Sequence, residues 1–255
     1  MKRKCRLAFL LITTVCAAAL AQSPDQSQTS NAPSNAPSAA ESQHVIVPLK
    51  TFPPDRGGET VSGDPNKPGA LFVIRIRNDD GQIVMPHWHP EDEHIVVVKG
   101  HWYLGDGHKF DRSALREMKP GDYGLVPKKM MHFAWSEGET VIQVHGIGPF
   151  QILPAADDEW LRLTDNGVTE MRGRLPNDPF SLQEYLSRWK EPVDPAAASV
   201  FKCKRNERVR ASKGEGVIIG GGYSRTSNVT QYRIQRADGS IFWAVESDLQ
   251  ELAKH

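Results

Sequence analysis

Cysteine is scarce in this 255-residue sequence: there are three, and two of them, Cys5 and Cys16, fall in the first 21 residues. Cys203 would stand alone in the rest, which excludes an intramolecular disulfide framework there and leaves a buried, inert thiol as the expectation. Neither sign of charge predominates, since 31 Lys and Arg balance 31 Asp and Glu. Charge balance therefore gives no reason to expect a nucleic-acid partner or an acidic surface. After the opening segment no run is apolar enough to cross a bilayer, so no stable membrane span is expected once a leader is removed. No G-x-S-x-G elbow, zinc finger or dinucleotide fingerprint occurs. The glycine-rich stretches "GGGYS" and "GEGVIIGG" lack the Lys-Ser/Thr of a phosphate loop and are expected to be turns beside strands.

What is present divides the chain into five parts. Residues 1–21 have a basic start (Lys2, Arg3, Lys4, Arg6), an apolar run and a small-x-small close at Ala19-Leu20-Ala21. These are the marks of a secretory signal peptide, so an exported, periplasmic or secreted, protein is expected. Residues 22–43 are Ser, Pro, Asn, Gln and Ala with almost nothing to bury, which predicts a disordered linker. Residues 44–154 alternate short apolar runs with Gly, Pro and Asp turns, the texture of an all-β sandwich or barrel. Residues 155–198 read as a helical connector. Ser181 and Glu184 resemble a capping box, Pro179 suits a first turn, and Phe180, Leu182, Tyr185, Leu186 and Trp189 form an apolar stripe for packing. Residues 199–255 read as a second small β unit with a hairpin at Asp238-Gly239 and a terminal helical turn. Its strand order resembles a small SH3-like β-barrel. It carries ten Lys and Arg against six Asp and Glu, a modest excess that suits a solvated face.

The densest chemistry is "MPHWHPEDEH", residues 85–94. Alternate side chains of a strand share a face, so His87 and His89 pair and Trp88 points away. Pro90 ends that strand, Glu91 and Asp92 make a turn, and a hairpin is expected to return Glu93 beside the two histidines. His94 would then face the other way. Histidine and carboxylate are usual metal ligands, and a fourth is expected from another strand.

The stretch Gly81 to Gly100 reads G-x5-H-x-H-x3-E-x6-G, and Gly121 to His132, "GDYGLVPKKMMH", follows it. These resemble the first and second motifs of the cupin superfamily across about residues 48–150. The second departs at Lys129, where the family usually has Gly, and at Ser136, where it often has Asn. The resemblance implies an all-β fold: a cupin jelly roll (double-stranded β-helix), here followed by a short helix and the small C-terminal β-barrel. It also implies metal ligands His87, His89, Glu93 and His132. Such a set suits a divalent transition metal, Fe, Mn, Ni, Cu or Zn, with one or two positions left for water or substrate. Dioxygenase chemistry on a small organic molecule is the leading expectation, with isomerase or lyase chemistry behind it. A non-catalytic ligand-binding or sensing module is the alternative. Pairing of sheets into a homodimer is also implied.

Gln143 and His145 share one strand face and, if inward, would line the pocket as substrate-orienting or acid–base groups. His101 and Tyr103 pose the same question of face. Trp102, Phe133 and Trp135 are expected to pack.

Overall fold

A computed structural model describes residues 46–49, 57–178, 181–189 and 195–252. The expected signal peptide and linker, with Pro179 and Phe180, lie outside the described residues.

The alternating runs of the first half become eight strands: β1 (Gly58–Gly63), β2 (Leu71–Asn78), β3 (Ile83–Trp88), β4 (Glu93–Asp106), β5 (Arg116–Met118), β6 (Tyr123–Val126), β7 (His132–Ile147) and β8 (Leu153–Pro154). All their pairings are antiparallel. Two long strands organise them. The first half of β7 lies between β3 and the end of β4, and its second half lies between β2 and the start of β4. The opposed pairs Ile95–Val144 and Val97–Ile142 turn into the interior, where they meet Phe72, Trp102, Met118, Val126 and Ala134. This is the expected all-β jelly roll.

The motif glycines have a backbone reason. Gly81, Gly100 and Gly121 all adopt positive φ, which a side chain would strain. Lys129, standing for the fourth glycine, keeps the same turn at φ 64°, and its amide donates to the His89 carbonyl at 2.8 Å. The departure at Lys129 therefore leaves the turn intact. Phe133 is fully buried against Gly105, where a Cβ would fall 2.3 Å from its ring, and Trp102 is buried as expected. Trp135 instead is half-buried, with Tyr103 beside it and Arg112 over its ring.

The connector differs from its expectation. Glu159–Thr164 (β9) and Gly167–Arg172 (β10) form a hairpin in 155–198, a segment expected to be helical. The helix is a single turn, Leu182–Leu186 (α1), with the Ser181–Glu184 capping box in place. Because it is so short, Tyr185 alone among the described residues of the expected stripe is buried, Leu182 and Trp189 are half-buried and Leu186 is exposed. A second short helix, Pro195–Ala198 (α2), follows.

Strands β9 and β10 belong to a second antiparallel sheet with β11 (Arg208–Ala211), β12 (Gly214–Ser224), β13 (Val229–Gln235), β14 (Ile241–Val245) and β15 (Gln250–Glu251). The glycine-rich stretches are therefore strand, within β12, and not turns. Tyr232, Phe242, Ile234, Ile218, Val209 and the buried Cys203 form its core. The expected hairpin at Asp238-Gly239 joins β13 to β14, and Glu246–Asp248 make a 3-10 turn.

The described residues from Val47 onward form one compact unit. The Gln231 side-chain amide clamps both backbone groups of Ile83, at 3.0 and 2.7 Å. Arg233 pairs with Asp79 at 2.9 Å, and the Trp243 amide donates to the Asp80 carbonyl at 2.7 Å. Among the described residues no helix is long and apolar enough to cross a membrane.

Candidate metal centre

His87 and His132 are direct partners across β3 and β7, and His89 follows just past the end of β3. Their rings gather with centroids 4.1 to 5.1 Å apart. One nitrogen from each of the three lies within 4.8 Å of the others, close enough to hold one metal ion. Glu93, the first residue of β4, points its Oε2 to within 3.3 Å of His89 Nε2 and 3.4 Å of His132 Nε2. All four side chains are buried. The expected β3–β4 hairpin does not form: β4 pairs with β5, β6 and β7, and β3 with β7 and β8. Glu93 is brought to the histidines by the curvature of the barrel and not by a paired turn.

Backbone carbonyls fix the histidine tautomers. His87 Nδ1 lies 2.7 Å from the Met85 oxygen, His89 Nδ1 2.7 Å from that of Gln151, and His132 Nδ1 3.2 Å from that of Met130. A carbonyl can only accept, so each Nδ1 carries the proton and each Nε2 presents a lone pair. His89 Nε2 is buried without a hydrogen-bond partner and faces a carboxylate oxygen. Two acceptors at that distance, shut away from water, call for a cation between them. The donor set thus fits a divalent transition metal. The three carbonyls, the stacked Phe150 ring 4.8 Å from His89, and Trp160 6.3 Å from His87 were not legible beforehand. They come from distant segments, or from main chain that carries no residue signature.

The rest of the cluster is placed elsewhere. Glu91 and Asp92 are exposed, and Asp92 accepts from the Lys128 amide at 2.7 Å. His94 faces outward, with Nδ1 2.7 Å from the Tyr123 hydroxyl. The inward reading of Gln143 and His145 is corrected. Val144 between them is in the core, His145 sits opposite His94, and Gln143 accepts from Arg75 at 3.0 Å. Strict alternation puts both on the outer face. His101 and Tyr103 also face out, toward Glu117 and Glu137.

Residues 56–148 match the family model described as Cupin. The barrel is a cupin domain. None of the curated proteins matches the chain. Among solved structures, KdgF from Halomonas sp. is 23% identical over 36% of this chain and 77% of its own, with a TM-score of 0.29. A Klebsiella pneumoniae protein with a double-stranded beta-helix domain is 18% identical over 43% of this chain and 87% of its own, TM-score 0.33. A salicylate 1,2-dioxygenase mutant from Pseudoaminobacter salicylatoxidans is 14% identical over 31% of this chain and 20% of its own, TM-score 0.28.

The cupin site should be acid-sensitive. Burial, then His132 and His89 nearby, push His87 well below its ordinary value of 6.5. Burial by itself would raise Glu93, but His89 and His132 outweigh it and hold the carboxyl well below the usual range. A histidine kept neutral in the fold takes up its proton more readily when unfolded. Its contribution to stability is therefore present above about pH 6.5 and lost as pH falls below it. Glu93 adds a loss at lower pH, as its carboxylate protonates. The denaturation midpoint of metal-free protein is expected to fall between about pH 7.5 and about pH 5.5, and less so in His87→Gln. A midpoint independent of pH, or an equal slope in the variant, would contradict this.

Proposed function

We propose that this is an exported, metal-dependent cupin that acts on a small organic molecule by oxygen chemistry. The carrying observation is the orphaned His89 Nε2 facing Glu93, within three histidines whose tautomers are set for ligation. Bound there, a divalent transition metal would supply Lewis-acid or redox chemistry at its open positions. The protein's own part is to hold the four ligands buried, with the histidine rings oriented by backbone carbonyls and Phe150 stacked on His89. Oxygen chemistry demands least from other side chains. Among the described residues, the buried ionisable groups gathered at the histidine cluster are the ligands themselves. The leader supports export to the periplasm or beyond.

Oxygen uptake by metal-loaded protein against phenols and small organic acids is the test. Turnover with at least one of them, absent in His132→Ala, is expected. Stoichiometric metal with no uptake on any of them would favour the second reading, a non-catalytic ligand-binding or sensing module. The outward placement of His145 is the observation in that reading's favour, because it removes the acid–base partner that proton-transfer chemistry would use.

A further inference from the structure

A cavity lies where β3 and the second sheet meet, a cleft of about 860 Å³. None of His87, His89, Glu93 or His132 lines it. Trp160 forms part of its wall and touches the histidine site from behind.

Its floor is Gly220, Gly221 and Gly222 of β12. At Gly221 a Cβ would press on Gln231 and Phe201 at about 3 Å, which explains that glycine by packing. Gly220 follows a register shift of β12 against β13, where a bulge itself suits glycine, but Gly222 has neither reason. A Cβ at Gly220 and at Gly222 would meet nothing nearer than 3.5 and 3.9 Å, and neither residue has a left-handed φ. Glycine inside a strand costs stability and often marks close approach of a ligand. The bare backbone leaves a flat floor beside the rings of Trp160, Trp189 and Trp243.

The lining is positive. Its charged residues are four arginines and two aspartates. Arg77 and Arg233 share Asp79, Arg77 also meets Glu139, and Arg205 pairs with Asp165. Arg162 has no carboxylate partner among the described residues; its guanidinium lies 3.8 Å over the Trp189 ring. Three further donors on lining residues, Arg205 Nε, Trp189 Nε1 and Trp243 Nε1, are buried without an acceptor. One lining acceptor, Asp79 Oδ1, is likewise without a hydrogen bond, though it lies beside Arg77, so unpartnered donors outnumber acceptors and one cation is uncompensated.

We propose that this cleft binds a small planar carboxylate, its ring on the glycine floor and its carboxylate on Arg162. A guanidinium matches a carboxylate in fork geometry, and tryptophan faces take a flat ring. Neither the metal nor the proposed oxygen chemistry enters this inference.

Isothermal titration of the full protein with benzoate tests it, with metal content measured on the same samples. Saturable binding is expected. Arg162→Gln and Gly222→Val, one removing the charge and the other filling the floor, should each weaken it about tenfold or more, with metal content unchanged. Absence of saturable binding at millimolar benzoate would overturn the proposal. So would wild-type binding in both variants, or binding that disappears when the metal is stripped, which would place benzoate at the histidine site.

Discussion

Replacing His87 and His132 together with Ala should reduce metal affinity by more than about a hundredfold, since disturbing outer hydrogen-bonding partners alone costs 10- to 100-fold. These two rings face each other across paired strands, so the double change opens one side of the site. It also leaves Glu93 buried with a single histidine, a less compensated charge. His94→Ala, only seven residues along from His87, should leave affinity unchanged, because that ring points outward to Tyr123. Competition with a chelator of known affinity measures both. Metal retained by the double variant, or lost by His94→Ala, would reverse the assignment of faces within the cluster.

The second large effect concerns Trp88, between the two histidines in sequence and on the opposite side of the strand. It is fully buried with Met131, Leu153, Ala155 and Tyr185. Its Nε1 lies 3.2 Å from two carbonyl oxygens, those of Pro154 and Arg174. Trp88→Ala removes a large ring and deprives both oxygens of that donor, so a loss of about 3–5 kcal/mol is expected. Trp88→Phe, which keeps most of the volume, should cost less. Because Tyr185 belongs to α1, the ring also ties that turn and β8 to the strand carrying His87. Urea unfolding of the metal-free variants reads the effect. A loss below about 1 kcal/mol in Trp88→Ala would show that β3 is held in place by other contacts.

The barrel and its four converging side chains were legible because period-two alternation and two spaced motifs both act over short distances. His87 and His89 meet on the shared face that alternation assigns, and His132 lies where the resemblance to the second motif puts it. Gln143 and His145 could have been placed by the same rule, since Ile142 and Val144 are the apolar members of that run. A polar pair can line a pocket as well as a solvated face, and composition alone does not decide. The β9–β10 hairpin had a local signal as well, Asn166-Gly167 between apolar-bearing runs. The capped helix downstream drew the whole segment toward a helical reading. The cleft had none, because its walls come from residues far apart in sequence, and its floor is glycine, which marks a turn as readily as a ligand surface.

Elemental analysis of the purified protein tests the central claim most directly. About one equivalent of Fe, Mn, Ni, Cu or Zn per chain is expected, released on chelation and restored on reloading. Protein that holds no metal, even after dialysis against each of these ions at neutral pH, would contradict it, and the buried histidines would then be packing.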